Sequence, residues 1–116
     1  MTEDQLQAKC FIHFHNTFPQ FRGLLFSVPN GGYRNKIEAM KLKSTGCTPG
    51  IPDIIYLHQS GPIGIEMKTE NGVISPDQKK IHAIWAINGI KVYVCRTFEQ
   101  FQEIIEEIHS GWDTGK

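Results

Sequence analysis

Residues 53–95 constrain the fold of this chain more than any other stretch. Two short apolar runs, Asp53-Ile54-Ile55-Tyr56-Leu57 and Ile63-Gly64-Ile65-Glu66-Met67-Lys68, flank His58 and the turn-forming Gln59-Ser60-Gly61-Pro62, which is the pattern of a β-hairpin. Pro52 fixes its own φ and pushes Ile51 into an extended conformation, so Asp53 is expected to open the first of these strands. A helix follows, with Ser75 at its N-cap, Pro76 in its first turn, Gln78 completing a capping box and Gly89 as the stop after Asn88. Lys91-Val92-Tyr93-Val94-Cys95 then reads as a central strand, parallel to the one carrying Glu66 because a helix joins them. A hairpin that leads into a strand–helix–strand crossover requires a mixed sheet with helices packed against it.

The flanking segments complete an α-β-α-β-β-α-β-α order. Thr2-Glu3-Asp4-Gln5 resembles a capping box, and Leu6, Cys10, Phe14 and Phe18 fall near helical spacing, so a first helix is expected to about Thr17, ended by Pro19. Leu24 to Val28 reads as a short buried strand, Pro29-Asn30-Gly31-Gly32 as a turn, and Asn35 to Lys43 as a short helix. Thr97 and Gln100 cap a last helix whose apolar face is Phe98, Phe101, Ile105 and Ile108. Residues 110–116 are expected to be a tail. At 116 residues, with 40% hydrophobic and 21% charged residues, residues 1–116 have the size and composition of a single α/β domain with one core.

Three cysteines, Cys10, Cys47 and Cys95, form an odd set with no CxxC spacing, which favours reduced thiols over a disulfide framework or a zinc site. There is no apolar run of membrane-spanning length, and Met-Thr-Glu-Asp-Gln lacks the basic and apolar regions of a signal peptide. A cytoplasmic protein without a membrane partner is the expectation.

The hairpin concentrates the chemistry. Strand side chains alternate faces, so Ile63, Ile65 and Met67 are expected in the core while Gly64, Glu66 and Lys68 share the other face, with Gly64 leaving room for a ligand. Asp53, on the adjacent strand about 4.8 Å away, brings a second carboxylate to the same point. Two converging carboxylates suit a hard cation such as Mg²⁺, with the Met67 backbone carbonyl as a further oxygen ligand. Such an ion acidifies a bound water and neutralises charge on a phosphodiester, and Lys68 beside it would orient the attacking water or stabilise the transition state. A Glu-x-Lys alone is more often a solvated ion pair; the Pro-Asp one hairpin earlier and the capped helix that follows give it the catalytic reading.

On that helix Gln78, Ile81, His82 and Trp85 share a face, with Ile84 near its edge. Ile81 and Trp85 must bury, which carries Gln78 toward the sheet. Its capping role and a role at the site are both open. His82 could serve as a proton donor to the leaving oxygen, but one turn beyond Gln78 it is read as a helix-surface residue. His13 and His15, two apart on a helix, cannot share a face as a metal pair, and Asn30-Gly31-Gly32 lacks the Lys and Ser/Thr of a phosphate-binding loop.

The formal net charge is zero, but its distribution is uneven. Residues 97–116 hold five acidic residues against Lys116, leaving the remainder with eleven basic and seven acidic residues. The basic surplus includes Arg34, Lys36, Lys41, Lys43, Lys79 and Lys80, and Lys41, Lys43 and Lys79 are candidate phosphate contacts.

In order, Gly50, Pro52, Asp53, Glu66, Lys68, Gly72, Ser75, Pro76, Gln78, Lys79, Gly89, Val92 and Val94 resemble the VRR-NUC domain of the PD-(D/E)xK nuclease superfamily, from about Glu3 to Phe101. The resemblance, strongest to small stand-alone phage and bacterial members, implies a restriction-endonuclease-like fold. It also implies a Mg²⁺- or Mn²⁺-dependent phosphodiesterase with Asp53 and Glu66 as metal ligands, Lys68 catalytic and Gln78 supporting. Family members carry an acidic residue in the first helix, for which Glu3 is the candidate ligand here. The stand-alone relatives suggest a homodimeric DNA endonuclease acting on branched DNA such as Holliday junctions. A non-catalytic nucleic-acid binding module on the same fold is the alternative.

Overall fold

The computed structural model describes residues 1–29 and 36–114. Helix α1 (Glu3–Thr17) begins where Thr2 closes a capping box with Gln5 and gives way at Pro19 to a 3₁₀ turn (Pro19–Phe21). After it come strand β1 (Leu25–Ser27), helix α2 (Lys36–Ser44), strand β2 (Ile54–His58), strand β3 (Gly61–Met67), helix α3 (Pro76–Ile87), strand β4 (Lys91–Cys95) and helix α4 (Phe98–Thr114). The turn expected at Asn30–Gly32, the helix start at Asn35 and Arg34 lie outside the described residues. Residues 110–114, expected as part of a tail, continue α4.

The four strands lie in the order β1-β2-β3-β4. β1 and β3 run antiparallel to β2, while β4 runs parallel to β3. His58 pairs with Gly61, so the hairpin turn is only Gln59 and Ser60, and Gly61 and Pro62 belong to the strand.

β4 is an edge strand, not the central one expected. The chain leaves it into α4, which turns back against the sheet, and among the described residues no later strand pairs with it. Its first residue protects the edge with charge: Lys91 Nζ lies 4.6 Å from the Tyr93 ring centroid and 3.6 Å from Glu107 Oε1. At the opposite edge β1 is also less buried than expected, with Leu25 inside and Phe26 exposed.

The core forms on one face of the sheet. Leu6, Cys10 and Phe14 of α1 and Phe101, Ile104, Ile105 and Ile108 of α4 pack with Leu25, Ile54, Tyr56, Ile63, Ile65, Met67 and Cys95. Phe14 meets Tyr56 edge-on at 5.4 Å. Cys10, Cys47 and Cys95 are free thiols, and the hydrogen bond that Cys10 shares with buried Cys95 raises the Cys10 thiol. No helix among the described residues is long and apolar enough to cross a membrane.

α3 covers the opposite face, so β3 is buried on both sides from Ile63 to Met67. A Cβ added to Gly64 would stand 2.8 Å from Pro52 Cγ and 3.0 Å from Trp85 Cζ3. The space beside Gly64, expected to admit a ligand, is therefore filled by Pro52 and Trp85; the glycine lets α3 approach the sheet. Ile81 of α3 is buried, whereas Ile84, expected near the edge of the buried face, is exposed.

Gly50 fixes where α3 begins. Its φ is +91°, and a Cβ there would overlap the Asp77 carbonyl in the first turn of α3. Gly46 has a similar φ of +102° with nothing near its missing side chain. Gly46→Ala should therefore cost about 1 kcal/mol of backbone strain, and Gly50→Ala at least about 2 kcal/mol from strain and overlap together. Urea unfolding of the two variants measures the difference, and equal losses would rule out the close packing at Gly50.

Candidate active site

Glu66 is the only buried charged side chain among the described residues, with 0% exposure. It occupies the face of β3 that α3 covers. Two polar side chains of α3, one helical turn apart, meet its carboxyl group: Gln78 Nε2 donates to Oε2 at 3.1 Å, and His82 Nε2 lies 3.3 Å from Oε1. The helix start sets this alignment. Ser75 Oγ accepts from Gln78 N at 3.2 Å and Gln78 Oε1 accepts from Ser75 N at 2.9 Å, so Gln78 completes the capping box with its oxygen and reaches Glu66 with its nitrogen. Gln78 thus caps the helix and touches the Glu66 carboxyl at once.

Asp53 sits just before β2, half-buried. Its carbonyl accepts from Val28 N at 2.7 Å, and its Oδ2 accepts from Met67 N at 2.8 Å. The N–H and C=O of one strand residue point to the same edge, which directs the Met67 carbonyl toward Asp53 as well. Lys68 follows the end of β3, its N–H donating to Cys95 O at 3.0 Å. Its charge opposes the upward shift of Glu66, and that of Glu3 in the first turn of α1 adds to it. Asp53, Glu66, the Met67 backbone, Lys68 and Gln78 are thus gathered at one end of β3, with Glu3 in electrostatic reach. Lys41 and Lys43 are exposed on α2, and Lys79 is exposed on the first turn of α3.

Burial, and then the hydrogen bond and like charge shared with Asp53, push Glu66 up to about 9. Burial and the Lys68 charge lower His82. His82 is therefore not the surface residue expected; its side chain is only 18% exposed. The available signal was its four-residue spacing from Gln78, which stacks the two on one helix face.

Arg96 is a second residue the sequence did not mark. Its Nη1 donates to the carbonyls of Gly72 at 2.7 Å, Thr69 at 2.9 Å and Glu70 at 3.3 Å, closing the loop between Lys68 and Ser75 around one guanidinium. Its own N–H donates to Gln100 Oε1 at 2.6 Å while Gln100 N donates to Thr97 Oγ1 at 3.1 Å. The α4 cap and the loop are joined through Arg96. No spacing rule ties an arginine after a strand to carbonyls in an earlier loop.

Among the described residues no group of three or more His, Cys, Asp or Glu side chains is placed to hold a metal ion. A cation at this site would have the Asp53 and Glu66 carboxyls and the Met67 carbonyl to draw on, and take its remaining ligands from water or phosphate oxygens. That donor set fits a hard divalent ion such as Mg²⁺.

The raised Glu66 has a consequence for stability. Its folded value of about 9 lies above its ordinary value of 4.5, so the folded state holds a proton that the unfolded state has lost between those two values. The resulting stabilisation is complete below about pH 4.5 and disappears as pH rises through about 9. In EDTA, the melting temperature of the wild type should fall between pH 5 and 9 relative to Glu66→Gln, whose amide does not titrate. Parallel melting curves for the two proteins across that range would show that Glu66 ionises normally.

Two solved structures share the architecture, both at 22% sequence identity. One, titled a VRR_NUC domain protein, superposes with a TM-score of 0.73 over 91% of this chain and 86% of its own. The other, titled a VRR_NUC domain, gives 0.59 over 91% of this chain and 97% of its own. No curated protein matches the chain. The VRR-NUC domain family model matches residues 1–99, a span that contains Asp53, Glu66, Lys68, Gln78 and His82, and the chain belongs to the VRR-NUC domain family of nucleases.

Proposed function

We propose that this protein is a divalent-metal-dependent DNA endonuclease, selective for branched DNA such as Holliday junctions, with its active site at the end of β3. The observation that carries the reading is the convergence of Asp53 and buried Glu66 beside Lys68, with α3 donors fixing the Glu66 carboxyl. Asp53 and Glu66 hold Mg²⁺ or Mn²⁺ together with the Met67 carbonyl, and Glu3 adds negative charge from α1. The bound ion supplies Lewis-acid stabilisation of the phosphodiester and a more acidic water. Lys68 orients the attacking water and balances charge on the phosphorus oxygens as it develops. Gln78 keeps the Glu66 carboxyl in place, and the Arg96-bound loop holds the backbone after Lys68.

Lys41, Lys43 and Lys79 are exposed and contact backbone phosphates. Removing all three should lower the slope of log binding constant against log salt by roughly two to three, and an unchanged slope in a filter-binding titration would remove them from the interface.

Junction cleavage calls for two active sites, and a homodimer supplies them. The α4 face is committed to the core, with Phe101 and Ile105 buried, so the two-fold contact uses another surface. Ile84 and Ile87 of α3 are exposed and are available for it. The alternative, a binding module without turnover, is disfavoured because Asp53, Glu66 and Lys68 are all present and gathered.

The test is cleavage of end-labelled four-way-junction DNA and a matched duplex with Mg²⁺, Mn²⁺ or EDTA. Wild type should cut only with metal and prefer the junction. Lys68→Ala should lose at least about 100-fold in rate with junction binding kept. Binding without cutting in every metal would favour the non-catalytic module, and turnover by Lys68→Ala at the wild-type rate would remove Lys68 from the chemistry.

A further inference from the structure

We propose that His82 is a positioning residue for Glu66, acting with Gln78 to fix the plane of the carboxyl group that takes the cation. The inference rests on the nuclease reading above. Glu66 has two oxygens, and each faces a different nitrogen on the same helix: Oε2 the Gln78 amide at 3.1 Å, Oε1 the His82 imidazole at 3.3 Å. One donor alone leaves the carboxyl free to swing about its terminal bond. Two donors spaced by one turn of α3 define its plane and leave the outer lone pairs for a cation shared with Asp53.

The chemistry of the acceptor sets the state of His82. A metal-bound carboxylate is ionised and can only accept hydrogen bonds, so His82 must carry its proton on Nε2. Water competes little for this contact, because Glu66 has no exposure and the His82 side chain has 18%. The imidazole and the Gln78 amide are both mounted on a regular helix, itself anchored by the Ser75 cap and by Pro52 and Trp85 packed over Gly64. Hydrogen-bond partners that orient metal ligands typically change metal affinity by about 10- to 100-fold when removed.

The test is calorimetric titration of Mn²⁺ into wild type, Glu66→Gln, His82→Ala and His82→Gln at one pH without DNA, with melting curves in EDTA to verify folding. His82→Ala should bind Mn²⁺ about 10-fold more weakly, and His82→Gln, whose amide restores an N–H donor, should recover most of that loss. Wild-type affinity in His82→Ala, with Glu66→Gln weakened, would overturn the role of His82 and leave the nuclease reading standing. Equal weakening of His82→Ala and His82→Gln would assign the loss to packing and also overturn it. Wild type that binds no Mn²⁺, or Glu66→Gln that binds as well as wild type, would overturn the cation site itself.

Discussion

The structure depends on keeping one carboxyl group out of water. A buried acid is tolerated only when it is neutral, paired or fully hydrogen-bonded, and Glu66 meets that condition by holding its proton, which burial and neighbouring Asp53 favour, and by its contacts with Gln78 and His82 on α3. Other features of this half of the molecule follow from bringing α3 close enough to do so. Gly64 lets Pro52 and Trp85 press onto the sheet, and Gly50 admits the first turn of the helix. The capping box at Ser75 sets the rotation at which Gln78 faces inward. A helix docked slightly further away would leave the acid buried without partners.

The two faces of the sheet have separate tasks. Under α1 and α4 lie Phe14, Tyr56, Ile54, Ile65 and Phe101, a core of aliphatic and aromatic side chains. Under α3 Pro52, Ile81 and Trp85 are joined by Glu66, Gln78 and His82, and that is where the titratable groups meet. Separating the two lets the apolar side provide cohesion while the other carries an arrangement unfavourable for stability alone, a common relation between scaffold and active site.

The sequence revealed those parts of the molecule governed by local rules. The capping boxes at Thr2 and Ser75, the 3.6-residue apolar face of α4 and the parallel crossover from β3 to β4 were all readable, because each depends on neighbours in the chain. The pairing of Pro-Asp with Glu-x-Lys was readable because strand alternation and strand spacing are fixed quantities. Less visible was whatever depends on what lies across from a residue. The apolar Lys91–Cys95 run looks like a central strand, yet its place at the edge follows from where α4 goes. Gly64 looks like an opening until Trp85 arrives from α3. His82 has the composition of a surface residue and acquires its role only because a buried acid stands opposite.

Arg96 shows how far such cross-chain contacts reach. Surface loops ordinarily accept insertions and deletions, and the segment from Thr69 to Ile74 has the turn-rich composition of a tolerant one. Here a single guanidinium holds three of its carbonyls, at Thr69, Glu70 and Gly72, and the loop's two ends carry Lys68 and the Ser75 cap. Adding or removing a residue would break that grip and shift either the ammonium group or the start of α3 relative to Glu66. The length of this loop is therefore as tightly set as the identity of the acids it joins.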